Sequence, residues 1–266
     1  MIRLVCAQQR GGVAKTTTAV TLARCFADRG LRTLLIDTDS QGSISSILGI
    51  KPQFFLYDFL INEYALKECV VQAHERVDVL CSSRKTQQAE DIIATQQSRD
   101  VMFERALADS GADAEYQAVI IDVAPSFSWF QTCGMIYARH ILTPVAMEPL
   151  SVQGAVASIS AAMELNQLFK RPEPIAVAGL LPVMVNNRLA MTQPILESLR
   201  RLSQQRNVPL LPSIRTDTAV VKAAKDRVFL QGYDPKSKAL EDYNGVAELL
   251  IESFEESTEP KRATAS

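Results

Sequence analysis

The sequence predicts an α/β domain, a mostly parallel twisted sheet flanked by helices on both faces. Three observations lead there. Residues 2–7, 34–37 and 118–122 are short apolar runs with the continuity of strands buried on both faces. Helical apolar spacing lies between the first two, with Val20, Ala23, Phe26 and Ala27 on one stripe and Gly30 as a stop. Strand and helix patterns then alternate to the end of the chain, without tandem repeat or low-complexity break. At 266 residues and 47% apolar content, one core-forming domain over residues 1–254 is expected. Residues 255–266 are polar with Pro260 among mixed charges, and a disordered tail is expected there.

The first strand runs into Gln9-Arg10-Gly11-Gly12-Val13-Ala14-Lys15-Thr16-Thr17. A Gly-rich loop that opens a helix presents backbone N–H groups and the positive helix end to anionic oxygens, so it cradles phosphate. Lys15 adds a point charge for β/γ-phosphates, and the Thr16 hydroxyl can ligate Mg²⁺. A Gly-Gly-x-x-Lys-Thr string alone could be an ordinary turn; its place between strand and helix argues for the cradle. Ala14 stands where the common form of this loop has a glycine before the lysine, which narrows the backbone conformations open to it.

The second strand ends in Asp37-Thr38-Asp39, and open α/β sheets bind ligands at the carboxyl ends of their strands. Both carboxylates are therefore expected beside the phosphates. The run before Asp122-Val123-Ala124-Pro125 repeats the arrangement, and an acid there can hold Mg²⁺ through water. By itself Asp122 could be a strand-end cap; a phosphate loop and a second such strand favour the metal role. Residues 50–76 are expected to form a helical insertion packed on the domain. Residues 84–100 are expected as a polar helix-loop leading into a helix over about 100–108, residues 180–185 as a strand, and residues 239–254 as an acid-rich amphipathic helix on the sheet.

Taken in order, these motifs resemble the ParA/Soj group of deviant-Walker P-loop ATPases, relatives of MinD. The group's loop reads Lys-Gly-Gly-Val-Gly-Lys-Thr-Thr, matched by Arg10 to Thr17; its Asp-Leu-Asp-Pro-Gln-Gly is matched by Asp37 to Gly42; its Ile-Ile-Asp-x-Pro-Pro-Ser is matched by Ile120 to Ser126. The likeness extends over roughly residues 1–254. It implies an ATPase using ATP and Mg²⁺, with Gly11, Gly12, Val13, Ala14, Lys15, Thr16 and Thr17 around the nucleotide. It implies that Asp39 orients the attacking water, that Thr16, Asp37 and Asp122 serve the metal, and that Met184, Asn186 and Pro212 border the adenine. The group's signature lysine falls at Arg10, which keeps the charge and can grip phosphate from a partner subunit. The resemblance further implies an ATP-dependent face-to-face homodimer, non-specific DNA binding, a ParB-like adaptor that stimulates hydrolysis, and a cytoplasmic, nucleoid-associated protein that positions a plasmid, chromosome or protein body.

Net charge is −2, which does not by itself suggest nucleic acid. Its distribution does: residues 186–227 carry eight bases against three acids. Such a stretch is either a solvated helix surface or a basic face for phosphate backbones. The resemblance favours DNA, with Arg188, Arg215, Lys222 and Lys225 as contacts; Lys222 and Lys225, three apart, can share a helix face.

The five cysteines lack Cys-x-x-Cys spacing, which argues against iron–sulfur or zinc sites and fits a reducing compartment. The two histidines are isolated, and His140 at a strand start is structural. No signal peptide or membrane span is expected, and no basic amphipathic helix that would lie on a membrane. Three rivals remain: a MinD-like membrane switch, a nucleotide-binding module with little turnover (motivated by Arg10 and Ala14), and a P-loop kinase or synthetase for a small molecule.

Overall fold

The computed structural model describes residues 1–126 and 128–258. In chain order the first half comprises β1 Ile2–Cys6, α1 Lys15–Asp28, β2 Thr33–Asp37, α2 Ser43–Leu48, α3 Leu56–Leu60, α4 Leu66–Cys69, β3 Val70–His74, β4 Val77–Leu80, α5 Lys85–Ala94, α6 Met102–Asp109, α7 Ala112–Glu115 and β5 Ala118–Asp122. The second half comprises α8 Trp129–Ala138, β6 His140–Ala146, α9 Pro149–Phe169, β7 Ala176–Val183, α10 Thr192–Arg206, α11 Thr218–Asp226, α12 Leu230–Tyr233 and α13 Lys238–Thr258.

The seven strands form one sheet in the order β3-β4-β2-β5-β1-β6-β7, parallel except for the β3–β4 pair. Every residue of β2 and β5 is buried, which is why both read as unbroken apolar runs rather than as alternating ones. Alternate residues feed opposite layers. Leu4, Cys6, Leu35 and Ile120 pack with α1, α11 and α13, whereas Val5, Leu34, Ile36 and Ile121 pack with α3, α5, α6 and α8. Val145 and Leu180 extend the second layer toward α9 and α10.

The connections create the site. β1 feeds α1 and β2 to one side, while β5 feeds α8 and then β6 to the other side of β1. The strand order therefore reverses around β1, and ligands of open α/β sheets collect at that reversal.

Local differences from expectation have simple causes. The insertion at 50–76 is helical only in α3 and α4; Val70–His74 is an antiparallel edge strand, irregular between Gln72 and His74, and partly exposed along most of its length. An edge strand with one ladder partner needs no apolar run, so its pattern hides. β7 begins at Ala176, earlier than expected, and stops at Val183. Beyond it the chain runs beside β7 in an extended path, bridging Leu180 to Leu210 and Val185 to Arg215. A short 3₁₀ turn, Arg99–Val101, precedes α6. α13 carries through Thr258, into the segment expected to be a polar tail; residues 259–266 lie outside the described residues.

The extended path presses on β7. An ideal Cβ on Gly179 stands 2.5 Å from Leu211 Cγ. Gly179→Ala should therefore cost about 1–3 kcal/mol by forcing Leu211 off its seat. Urea melts measure this, and an unchanged midpoint would mean that Leu211 repacks freely.

Candidate active site

The phosphate loop lies between β1 and α1 at the reversal point. Gly12 takes φ 76° and Ala14 takes φ 57°, both left-handed. The second is a strained choice for an L-residue, worth roughly 1–2 kcal/mol. α1 opens with no side-chain cap and no acid in its first turn. Its leading amide donors are thus not matched by protein side chains, which is the arrangement that receives phosphate. Lys15 is buried, and its Nζ donates to the Arg10 carbonyl at 3.0 Å, drawing the ammonium back across the loop. Burial lowers its pKa, while Asp122 and Asp39 pull the other way.

Register brings the acids together. Asp37 and Asp122 are direct cross-strand partners on the parallel β2–β5 pair. Thr38 clamps the strand ends, since its N–H and hydroxyl both donate to the Asp122 carbonyl, at 3.0 and 2.9 Å. Both carboxyl oxygens of Asp122 are buried without a hydrogen bond. Burial first, then the Asp37 charge, pushes its pKa up to about 8; the nearby Thr16 hydroxyl and Lys15 ammonium oppose this without cancelling it. A buried carboxylate without donors beside a phosphate cradle fits a hydrated divalent cation. Among the described residues no three His, Cys, Asp or Glu side chains form a self-sufficient metal site. A cation held by Asp122 and Thr16 thus needs phosphate oxygens and water to complete its shell.

Asp37 lies buried at the end of β2 beside Asp122. Its carboxylate accepts from the N–H groups of Asp39 and Ile44, at 3.0 and 3.1 Å, and so shapes the turn that carries Asp39. Burial still raises its pKa to about 7. Asp39 is half-buried; one oxygen accepts from the Gln41 N–H at 3.0 Å, and its carbonyl accepts from Ser82 Oγ. It borders a cavity of about 300 Å³ lined also by Thr38, Gln41, Thr86, Glu90 and Ser128. Two cavities of about 810 and 800 Å³ lie elsewhere, one around Arg3 and His140, the other between Tyr64 and Arg105. The phosphate site is a backbone cradle and needs no deep hollow.

Arg10 is exposed, with Nε 3.7 Å from a Glu148 oxygen. Met184 takes φ 54° just past β7 and is exposed. Asn186 Oδ1 accepts from the Arg188 N–H at 3.1 Å. Pro212 lies in the extended path beside β7, where the Ile214 N–H donates to the Pro182 carbonyl. These three residues thus border the same carboxyl end of the sheet.

The basic stretch is not one face. Ala219 and Ala223 seat α11 on the α1 side of the sheet, while Ile195, Leu199 and Leu202 seat α10 on the α9 side. Arg188, Lys222 and Lys225 are exposed. Arg215 is engaged: Nε and Nη2 donate to Asp242 at 2.9 and 2.7 Å, and Nη2 also to Glu241 at 2.8 Å. The Arg215 side chain is still 44% exposed, so it stays at the surface, as do Arg188, Lys222 and Lys225.

Sequence reasoning passed over Gln8, Thr18 and Tyr243. Gln8 Nε2 donates to the Pro144 and Ser151 carbonyls, at 3.2 and 3.0 Å, tying the loop's entry to β6 and α9. Its place directly before the loop was a usable signal. Thr18 and Tyr243 share a buried hydrogen bond of 3.1 Å across 225 residues, and nothing local points to it.

Comparison with known proteins agrees with this geometry. A family model described as an AAA domain matches residues 2–171. The chain is 27% identical to the chromosome partitioning protein ParA of Myxococcus xanthus over 254 residues, 94% of this chain and 88% of the relative. It is 30% identical to the chromosome-partitioning ATPase Soj of Thermus thermophilus over 198 residues, 74% of this chain and 75% of the relative. Among solved structures, cobyrinic acid a,c-diamide synthase of Mycobacterium smegmatis with bound ADP and magnesium superposes with a TM-score of 0.81 at 25% identity, covering 97% of both chains.

Asp122 gives the ligand-free protein a defined pH dependence. An unfolded aspartate titrates near 3.9, roughly. Burial raises both members of the Asp37–Asp122 pair, so above that pH the folded pair holds protons that the unfolded chain has released, and stability falls as pH rises. Asp122→Asn should flatten the fall and, at pH 8, raise stability by on the order of 2 kcal/mol without nucleotide or metal. Thermal melts from pH 5 to 8.5 test this, and parallel profiles for the two proteins would mean that Asp122 is charged throughout.

Proposed function

The chain belongs to the AAA-domain family and, within it, to the ParA/Soj group of partition ATPases, and from that premise we propose that it is an ATP-driven switch positioning a cargo on DNA. ATP is the substrate. The observation that carries the reading is the juxtaposition of the uncapped α1 N-terminus, Lys15 and the unpartnered Asp122 at the strand-order reversal.

Phosphoryl transfer to water needs charge neutralisation, alignment and an oriented nucleophile. The amides of residues 11–17 and the Lys15 ammonium hold the β/γ-phosphates. Thr16 and Asp122 would hold Mg²⁺, which would supply charge neutralisation during phosphoryl transfer. Asp37, fixed by two amides, sets the turn from which the Asp39 carboxylate orients water. Arg10, exposed on the rim, reaches the nucleotide of a second copy in a face-to-face dimer. Met184, Asn186 and Pro212 border the adenine. The ATP-bound dimer is the working state and binds DNA without sequence preference through Arg188, Arg215, Lys222 and Lys225; a ParB-like adaptor speeds hydrolysis and resets it. No helix among the described residues is long and apolar enough to cross a membrane, and the reading requires none.

Binding to a random-sequence duplex, with no nucleotide, with ADP and with ATP across a salt series, tests the switch. Binding that appears with ATP and weakens steeply with salt is expected; equal binding in all three states overturns the reading. Hydrolysis that rises with a small metabolite rather than with DNA would move the protein toward the synthase-like alternative. Lys15→Ala should lose nucleotide affinity by at least about tenfold. Asp39→Ala should keep affinity, lose turnover and leave a persistent dimer by light scattering; normal turnover in Asp39→Ala would remove that residue from the mechanism.

A further inference from the structure

Helix α5 is tied both to the turn that carries Asp39 and to the start of α8, the helix that follows Asp122. Just before α5, Ser82 Oγ donates to the Asp39 carbonyl, and the buried Thr86 hydroxyl accepts from the Ser83 N–H at 3.0 Å. Further along α5, one carboxylate oxygen of Glu90 accepts from the Trp129 N–H, the first amide of α8. The other meets Gln87 Nε2 at 3.4 Å. α8 has no acid in its own first turn, and its Ser128 cap is spent on the Gln131 N–H at 3.1 Å. Glu90 thus supplies, from another helix, the acceptor and the negative charge that this helix end lacks. Glu90 and Ser128 stand in the wall of the cavity of about 300 Å³ that Asp39 borders. Both also line a second cavity, of about 490 Å³, together with Trp129 and Thr132. The Trp129 ring is seated as well: the Arg99 guanidinium carbon lies 3.8 Å from its centroid, and Arg99 Nη1 donates to the Ala94 carbonyl at the end of α5.

We infer that Glu90 is a positioning residue for ATP hydrolysis: its carboxylate clamps the first amide of α8 and so holds Ser128, and that wall of the cavity, in place against Asp39. The space beside Asp39 is walled on one side by residues 38–41, which follow β2, and on the other by Ala124, Pro125, Ser126 and Ser128, which follow β5. Two walls that leave separate strands need a common brace, and α5 provides it, through Ser82 to one and through Glu90 to the other. Misplacement of a group that orients a nucleophile by about 1 Å costs up to about a hundredfold in rate. The inference rests on the proposed role of Asp39 for its consequence, and on the geometry alone for the clamp.

Two substitutions at Glu90 separate positioning from proton transfer. Glu90→Ala removes the acceptor, and ATP turnover should fall about tenfold while affinity for a non-hydrolysable ATP analogue stays within about twofold of wild type. Glu90→Gln keeps a carbonyl acceptor for the Trp129 amide but cannot take up a proton. Positioning predicts that it turns over within about threefold of wild type. If Glu90 were the base itself, Glu90→Gln would lose turnover as fully as Glu90→Ala, and that result overturns the positioning role. Wild-type turnover in Glu90→Ala overturns it too, as does a loss of nucleotide affinity equal to the loss of turnover.

Fluorescence of the free protein decides the clamp independently of catalysis, because Trp129 is the chain's single tryptophan. Without nucleotide, acrylamide should quench Trp129 about twofold more strongly in Glu90→Ala than in wild type, and Glu90→Gln should match wild type. Unchanged quenching in Glu90→Ala overturns the clamp. If Asp39→Ala turns over normally, the proposed role of Asp39 fails while quenching still reads the clamp.

Discussion

The site depends on one constraint: parallel register places Asp37 opposite Asp122 at the carboxyl ends of two fully buried strands. Two acids so placed repel each other and are poorly hydrated, so the surrounding chain must answer them. It does so asymmetrically. Asp37 receives two amide donors from its own turn, which fixes the approach to Asp39. Asp122 receives no amide donor, and the Thr38 N–H and hydroxyl are spent on its carbonyl instead. One aspartate thereby braces its own turn, and the other is left beside the loop without an amide donor. Lys15 and the Thr16 hydroxyl are the nearby groups that favour its charge.

The loop is held from the other side by α9. Gly154 lies so near the entry of the loop that an ideal Cβ there would stand 2.1 Å from Gln8 Oε1 and 3.4 Å from the Arg10 nitrogen. Backbone therefore packs on backbone where the loop turns, and Gln8 fills the remaining space with its amide. Ala14 in a left-handed conformation is tolerated within this frame because its methyl packs against the core beneath α1. Strain of this kind collects where a surrounding structure over-determines the backbone.

On the opposite layer, α13 works as a strap. Its inner face enters the core through Leu240, Tyr243, Val246, Ala247 and Leu250. Its acids meet arginines from two distant segments, Arg29 after α1 and Arg215 before α11. Isolated surface pairs contribute little to stability. These pairs matter through geometry, because they fix two segments to one helix that is itself bonded to Thr18, a few residues past Lys15. The acidity of α13 thus has a local purpose, as counter-charge to arginines that the fold brings to it.

The sequence by itself determined what is local in the chain. A strand, a Gly-rich turn, a lysine and a helix within some thirty residues are fixed by short-range spacing, so the cradle, Lys15 and Thr16 were legible, as were the apolar runs ending at Asp37 and Asp122. Only the tertiary structure decided what those runs meet. That β5 lies between β2 and β1, that Asp37 serves a turn while Asp122 lacks donors, and that Tyr243 reaches Thr18 all depend on strand order and register. β3 stayed hidden because an edge strand with a single ladder partner carries no apolar run. The layout of the basic stretch was hidden for a related reason. Charge counted along the chain carries no information about layers, and between α10 and α11 the backbone passes along the sheet edge from one face to the other, leaving Arg215 against two carboxylates on α13.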